Sequence, residues 1–281
     1  MRNVSLSRVT EEVKRICMEA SFNLDEEVVS AMSAAAKEEE SPLGKEVLSQ
    51  LVENAGIAAA EKMAMCQDTG IAVFFVEIGE EVSFEGKGLV DAINKGVAQG
   101  YEEGYLRHSV VAEPLRERKN TGDNTPAIIH FNIVPGDKFR IVMAAKGTGS
   151  ENMAAFRTLT PGDGREGVKK FVVDAVKKAG ANPCPPIVVG VGIGGNFERS
   201  AILAKKALFR SFKDRNPDPY YGDLEDELLR DINNLGIGPQ GVGGRTTALA
   251  VHVEFAPCHI GSLPVSVNID CHAHRHKEVV L

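Results

Sequence analysis

The sequence contains no tryptophan, and aromatic residues make up only 6% of its 281 residues. It also lacks an uninterrupted apolar run of about 18 residues, the length that a membrane-spanning helix needs. Its N-terminus has no basic segment followed by an apolar one, the pattern of a secretory signal. Together these absences predict a cytoplasmic protein with no membrane as its partner.

Positive charge is in the minority. There are 32 Lys and Arg residues against 39 Asp and Glu, for a formal net charge of −7. That balance argues against nucleic acid as a partner. A hydrophobic content of 43% with 25% charged residues is typical of a folded globular chain. The 28 glycines exceed the usual share of about 7% and indicate several loops where the backbone approaches another group closely.

No Cys-x-x-Cys pair occurs, and the five cysteines are an odd number. Both facts argue against a disulfide framework, a zinc knuckle or a thioredoxin-type redox pair. For any one cysteine considered alone, a buried free thiol is the simplest interpretation, because cysteine packs as a small hydrophobic residue. The cysteines stand at positions 17, 66, 184, 258 and 271.

The order of the predicted elements indicates a mixed α/β (α+β) fold. Residues 3–60 have helical periodicity, and Ile71–Ile78 is predicted as a strand. Ala127–Val134 and Lys138–Ala145, joined by Pro-Gly-Asp, are predicted to form a hairpin. We therefore expect a helical N-terminal region followed by mixed sheets with flanking helices and glycine-rich loops.

Further along, one helix is predicted through Phe156 and another over Arg165–Ala179. The stretch 214–223 is rich in Pro and Asp and is the best candidate linker. The chain shows no internal repeat. We therefore predict a single domain over residues 1–281 with a possible subdivision near 214–223.

Gly190, Gly192 and Gly195 match the GxGxxG pattern of dinucleotide-binding loops, after a predicted strand and before a predicted helix. A Rossmann unit also needs a second strand that ends in an acidic residue about 20 positions later. Lys213–Asp223 is instead charged and Pro-rich. A dinucleotide-dependent oxidoreductase is therefore a minor alternative.

Two polar segments contain reactive or anion-binding groups. Cys66–Gly70 places a thiol, an amide, a carboxylate and a hydroxyl between a helix and a strand, although a helix stop followed by a turn would also explain it. Gly147–Asn152 is a glycine loop before a predicted helix, where consecutive backbone N–H groups suit an anion. The alternative is a simple turn with Ser150 as helix cap.

The remaining cysteines also have unusual neighbours. Cys184 lies among three prolines, Cys258 precedes His259, and residues 271–276 read Cys-His-Ala-His-Arg-His. The alternating histidines could form a zinc or nickel site, but a strand-like tail explains them better. Together with the two polar segments, these cysteines suggest a metal–sulfur site that binds an anion, because thiolates select iron–sulfur clusters or zinc.

These motifs resemble the class I, iron–sulfur-dependent fumarate hydratases and their relatives, the L(+)-tartrate dehydratases. The resemblance runs from about residue 5 to the C-terminus and is to the α subunit, or to the N-terminal half of single-chain members. The matching segments occur in family order: Cys66–Gly70, Lys146–Ser150, Gly192–Gly195, Leu263–Val265 and Cys271.

The resemblance implies a 4Fe–4S cluster held by Cys66, Cys184 and Cys271. Cys258 is the rival for the third ligand, since it lies only 13 residues before Cys271. The resemblance places no family counterpart for Cys17 or for Cys258. By the same resemblance the site contains further residues: Asp68 and His259 as catalytic residues, and Gln67, Arg107 and Gly149 as substrate contacts.

The predicted activity is the reversible hydration of fumarate to (S)-malate, with the open cluster iron as a Lewis acid. Asp68 or His259 would protonate the departing oxygen, and a separate β subunit would supply the opposite base, in an α2β2 assembly. The first alternative is the α subunit of an L(+)-tartrate dehydratase, which acts on another C4 dicarboxylate. The second is a noncatalytic metal-binding scaffold subunit.

Overall fold

The computed structural model describes residues 2–281. The chain forms two compact units whose segments alternate along the sequence. The first unit comprises the residues up to Leu24 together with Asn54–Gly147 and Arg275–Leu281. The second comprises Asp25–Glu53 and Thr148–His274. The predicted mixed α/β class is confirmed, because helices flank mixed sheets in both units.

The first unit is built on a four-stranded sheet in the order β10-β5-β2-β4, with a small parallel pair of β1 and β3. Its buried core joins α1 and α4 to this sheet. The elements are β1 (Arg2–Ser5), α1 (Leu6–Phe22), β2 (Ile71–Gly79), β3 (Val82–Glu85), α4 (Leu89–Glu103), β4 (Ile128–Val134), β5 (Phe139–Lys146) and β10 (His276–Val280). Helix α3 (Pro42–Glu61) contributes residues to both units.

The predicted hairpin of Ala127–Val134 and Lys138–Ala145 is wrong. Strand β2 lies between β4 and β5, parallel to the first and antiparallel to the second. The Pro-Gly-Asp connection crosses the end of β2, where the N–H of Glu81 donates to the carbonyl of Gly136 at 3.0 Å. The physical reason is the nearly continuous apolar sequence of β2, which suits a central strand covered on both faces.

The second unit contains a four-stranded sheet in the order β6-β9-β7-β8, in which β7 is antiparallel to β9 and parallel to β8. One face of this sheet packs on α6 and α8. The elements are α2 (Glu26–Glu38), α5 (Thr148–Glu151), β6 (Ala155–Leu159), α6 (Gly164–Ala179), β7 (Ile187–Gly195), α7 (Phe197–Ala207), α8 (Pro219–Asn233), β8 (Ala248–Cys258) and β9 (Leu263–Asp270).

The glycine motif belongs to strand β7 and not to a loop. A Cβ atom on Gly190 would stand 2.0 Å from the carbonyl oxygen of Ala204, and one on Gly192 would stand 2.0 Å from that of Ser200. Both of these oxygens belong to α7, so the missing side chains let the helix lie directly on the sheet. The motif therefore does not form the phosphate-binding loop that a dinucleotide site requires.

Other local predictions have mixed outcomes. The strand at Ile71–Ile78 and the helix at Arg165–Ala179 are confirmed as β2 and α6. The helix predicted through Phe156 is wrong, because α5 ends after one turn and Phe156 lies in β6, opposite Ser266 of β9. None of the helices within residues 2–281 is both long and apolar enough to cross a membrane.

The stretch 214–223, the candidate boundary, lies inside the second unit. Asn216 anchors it there. Its backbone N–H donates to a carboxylate oxygen of Glu225 at 2.8 Å, and its side-chain amide donates to the carbonyl of Val253 at 2.8 Å. Glu225 also pairs with Arg210 at 2.7 Å. This Pro- and Asp-rich segment is therefore held by buried polar contacts.

Candidate active site

The Cys66–Gly70 segment forms a tight corner that leads into β2. Gly70 has φ +78°, and a Cβ atom there would stand 2.6 Å from the backbone carbon of Lys146. Only glycine fits both the left-handed backbone and this approach. The N–H of Gly70 donates to Oδ1 of Asp68 at 3.1 Å. The corner therefore fixes the direction of the Asp68 carboxylate.

Asp68 and Arg275 meet at Gly147. A Cβ atom on Gly147 would stand 3.1 Å from Oδ2 of Asp68 and 3.4 Å from Nη2 of Arg275. Arg275 is only 2% exposed, although its side chain is always charged. The sequence did not identify this arginine as a site residue. The only signal for it was its place in the His- and Arg-rich tail that follows Cys271.

Arg107 lies on a segment that is tied to the same corner. Its backbone carbonyl accepts the hydroxyl of Thr69 at 3.0 Å, and its side chain is exposed. The phenol of Tyr101 donates to the carbonyls of Thr69 and Gly70 at 3.0 and 3.1 Å. Burial raises the pKa of Tyr101, so the phenol stays a donor at neutral pH. Tyr101 is a supporting residue that the sequence did not reveal.

Cys66 and Gln67 stand on the outer side of the corner. The Cys66 thiol is partly exposed and lies 3.5 Å from Oε1 of Gln67. The Gln67 side chain is exposed. In the first unit the structure therefore brings together most of the residues predicted there, with Cys66, Gln67 and Asp68 consecutive on one corner and Arg107 linked to it through Thr69.

In the second unit, Cys184 and Cys271 are brought to one place. The N–H of His272 donates to the carbonyl of Cys184 at 3.3 Å. Cys184 has φ +53°, and its own N–H donates to the carbonyl of Ala181 at 3.0 Å. Both cysteines are partly exposed. Two cysteines that are 87 positions apart in the sequence thus lie on adjacent backbone segments, which form one corner at the start of β7.

Cys258 and His259 lie at the other end of β7. Cys258 is opposite Gly195, whereas Asp270, the neighbour of Cys271, is opposite Val188. Seven residues of strand separate these positions, which is roughly 23 Å at the usual rise. Strand β8 ends at Cys258, near the start of β9, whereas Cys271 follows the other end of β9. Within one chain the structure therefore does not bring Cys258 or His259 to the Cys184–Cys271 corner.

His259 and Cys258 instead line a separate cavity of about 350 Å³. Arg165 and Tyr220 also line it, with the guanidinium carbon 4.6 Å from the centre of the Tyr220 ring. The charge of Arg165 is already engaged by Glu227 at 3.1 Å. The cavity is therefore lined by aromatic and apolar groups, and Glu227 compensates the positive charge of Arg165.

The predicted glycine loop leads into α5. A Cβ atom on Gly149 would stand 3.0 Å from the carbonyl oxygen of Asn182, two residues before Cys184. Lys205 holds the end of the loop, since its Nζ lies 2.5 and 2.6 Å from the carboxylate oxygens of Glu151. The amide of Asn268 adds a hydrogen bond of 3.3 Å to Glu151. The loop therefore lies directly against the turn that carries Cys184.

Comparison with known proteins agrees with this arrangement of motifs. The profile of the family described as Fumarate hydratase (Fumerase) matches residues 10–280. This chain belongs to that family. The match covers both units and both cysteine-bearing corners, so the family is a property of the whole chain and not of one motif.

Individual relatives carry a more specific name. A putative L(+)-tartrate dehydratase subunit alpha from Methanocaldococcus jannaschii is 43% identical over 272 residues, covering 95% of each chain. An L(+)-tartrate dehydratase subunit alpha from Escherichia coli is 33% identical over 274 residues, covering 96% of this chain and 90% of its own. Both similarities extend over nearly the full length of this family member.

The thiols of this family member differ in their suitability as metal ligands. Cys66, Cys184 and Cys271 are partly exposed, whereas Cys17 is fully buried and burial raises the pKa of its thiol. Among the described residues, no three His, Cys, Asp or Glu side chains are already grouped around a metal position. The donor chemistry nevertheless fits an iron–sulfur group, because thiolates are its usual ligands and two of the three stand on one corner.

Proposed function

We propose that this chain is the α subunit of a 4Fe–4S-dependent hydro-lyase that acts on a C4 dicarboxylate, with the dehydration of L(+)-tartrate as its reaction. The observation that carries the proposal is the corner that joins Cys184 and Cys271, in a chain with the Cys66–Gly70 motif and full-length membership of the family. The names of the relatives favour tartrate. Hydration of fumarate to (S)-malate, expected from the sequence resemblance, is the second candidate and is favoured by the family description.

The three residues proposed to hold the cluster are Cys66, Cys184 and Cys271. With three protein thiolates, a bound cluster would supply a Lewis acid at its remaining iron. Cys258 is left out because it lies at the other end of β7 from Cys271. Cys17 is left out because its thiol is fully buried in the core of the first unit.

The chain's own residues would bind the substrate through its carboxylates. The exposed guanidinium of Arg107 suits a carboxylate, since charge-assisted bonds to arginine are strong and directional. Gly149 would contribute its backbone close to the substrate, because the residue has no side chain and is exposed. Gln67, also exposed, would add an amide contact.

Asp68 is the proposed proton donor. In the dehydration, the electrons of a C–H bond form the new double bond while the C–O bond to the departing hydroxyl breaks. Asp68 would give its proton to that oxygen, so that water leaves. We assign this step to Asp68 and not to His259, because the structure fixes Asp68 on the motif corner and places His259 in a separate cavity.

The base that removes the carbon-bound proton would come from a second chain. The relatives are named as alpha subunits, which implies a β subunit as the partner. We propose that the β subunit completes the site, in an α2β2 assembly. The chain alone is then expected to be inactive or nearly so.

The proposal is tested by anaerobic kinetics of the chain reconstituted with iron, sulfide and its β subunit. We expect a kcat/KM for L(+)-tartrate well above that for fumarate or (S)-malate, and loss of most activity in Asp68→Asn. Activity confined to fumarate and malate would replace the substrate proposed here. No hydro-lyase activity on any C4 diacid, with the cluster and partner present, would overturn the proposal.

A further inference from the structure

The turn that carries Cys184 has an unfavourable backbone. Cys184 adopts φ +53°, a left-handed conformation that residues other than glycine rarely take. Such a conformation persists only where surrounding contacts determine it. The contacts come from two segments that are distant in sequence, the loop around Gln240 and the residue after Cys271.

Gln240 holds the residue that follows Cys184. Its backbone N–H and its side-chain Nε2 both donate to the carbonyl of Pro185, each at 2.7 Å. Gly241, the next residue, packs closely against the same turn. A Cβ atom on Gly241 would stand 2.3 Å from Cβ of Ala181. The Gln240 loop therefore contacts the Cys184 turn on both sides of the cysteine.

His272 joins this turn to the second cysteine. Its N–H donates to the carbonyl of Cys184, and its ring Nδ1 lies 3.1 Å from the same oxygen. Nδ1 also lies 3.1 Å from Nε2 of Gln240. Because His272 directly follows Cys271, one side chain of the Gln240 loop is in contact with the segments that carry both thiols.

We propose that Gln240 and His272 are positioning residues that set the separation of the Cys184 and Cys271 thiols. The reason for fixing this separation rests on the proposed function, because a metal–sulfur group needs two thiolates at a fixed separation. The geometric part stands on the contacts alone. Neither residue has a role assigned by the sequence motifs.

The test measures the separation of the thiols directly in the full-length chain without cluster. Cys66 and Cys258 are replaced by serine, so that Cys184 and Cys271 are the reactive thiols beside the buried Cys17. A short bifunctional methanethiosulfonate reagent is added, and intact mass separates a bridged pair from two singly modified thiols. We expect the bridged product to dominate in this parent.

In Gln240→Glu, which keeps the shape of the side chain but removes its donors, we expect the bridged fraction to fall at least fivefold. His272→Asn is the second variant, and we expect a similar fall. The matched control is Gln50→Glu, since Gln50 makes a single side-chain bond of 3.0 Å to Glu46 on the exposed surface of α3. We expect no change in bridging there. Thermal unfolding checks that each variant is folded.

Bridging that is unchanged in both variants, or absent in the parent, would overturn the inference. The outcome is independent of activity. If the parent bridges but the wild-type chain, with Cys66 intact, takes up no iron and sulfide, the proposed function is removed and the positioning role stands. If the wild-type chain takes up the cluster, and Gln240→Glu made in the wild-type chain releases iron to a chelator at least fivefold faster, both proposals are supported.

Discussion

The carboxylate of Asp68 and the guanidinium of Arg275 both face the backbone of Gly147. Oδ2 of Asp68 lies 3.1 Å, and Nη2 of Arg275 3.4 Å, from the point where a side chain on Gly147 would begin. A methyl group there would push the carboxylate away by a few tenths of an ångström. We expect Gly147→Ala to lower kcat about tenfold, because small displacements of a reacting group are costly.

The control for this substitution is Gly56→Ala. Gly56 lies within α3, and apart from its chain neighbours and the adjoining backbone of α3, no atom of residues 2–281 comes within 4 Å of the point where its side chain would begin. Alanine there favours the helix without a clash. We expect unchanged kcat and slightly raised stability. Equal activity of Gly147→Ala and wild type in anaerobic assays would show that the position of Asp68 does not limit the reaction.

Glu39 is a buried carboxylate that ties the end of α2 to the loop before β8. It is 1% exposed and accepts the N–H groups of Ser41, Arg245 and Thr246. Burial acts to raise the pKa of Glu39. The backbone N–H donors, of which Arg245 has the largest effect, outweigh burial and lower the pKa to about 2. The charged form is therefore the one that the fold stabilises.

A lowered pKa gives stability that is present above the ordinary value near 4.5 and is lost as the pH falls from there towards 2. The shift corresponds to about 3 kcal/mol. We expect Glu39→Gln to be destabilised by an amount of this order at pH 7, and by roughly half as much near pH 3. Urea unfolding at both pH values measures the difference.

Glu40 is the matched control for Glu39. It pairs with Arg245 at 3.0 Å, but both side chains are about 70% exposed. Surface pairs of this kind contribute little. We expect Glu40→Gln to change the free energy of unfolding by less than about 0.5 kcal/mol. If Glu40→Gln lowered the free energy of unfolding as much as Glu39→Gln does, burial would not be the reason for the effect at Glu39.

The contact of β7 with α7 predicts the effect of adding a methyl group at Gly190. The new Cβ would stand 2.0 Å from the carbonyl of Ala204, a backbone atom that cannot rotate away. We expect Gly190→Ala to destabilise the protein by at least about 3 kcal/mol, at the upper end of overpacking effects. In Gly162→Ala the nearest atom would be 3.8 Å away, and we expect no comparable loss in a thermal melt.

The ion pair between Lys205 and Glu151 is expected to hold the glycine loop, residues 147–152, in a fixed conformation. We expect Lys205→Met to speed amide hydrogen exchange in residues 147–152 about fivefold, as loss of roughly 1 kcal/mol from a partly exposed charged contact would give. Lys170→Met is the control, because Lys170 pairs with Asp174 on an exposed helix face. Unchanged exchange in the loop of the Lys205 variant would show that other contacts hold it.

The parts of the fold that the sequence predicted correctly are those with a strong local pattern. Helix α6 has regular apolar spacing, and β2 is a nearly continuous apolar run. The false hairpin has an equally good local pattern. A turn sequence between two apolar strands does not reveal that β2, formed more than 45 residues earlier, inserts between them.

The candidate site shows the same limit. The motif residues Cys66 and Asp68 were visible because reactive side chains cluster in sequence. Gln240 and Arg275 were not, since their importance lies in contacts with Pro185 and Gly147 that only the folded chain creates. The glycines of β7 were visible but misleading, because close helix packing and phosphate binding both require a missing side chain.

The most direct test of the central claim is the iron and acid-labile sulfide content per chain after anaerobic reconstitution. It is measured for the wild type and for Cys184→Ser, Cys258→Ser and Cys271→Ser. The account predicts about four of each in the wild type and in Cys258→Ser, with loss of the cluster in the other two. A cluster that survives the changes at Cys184 and Cys271, or a wild type that takes up no sulfide, would contradict it.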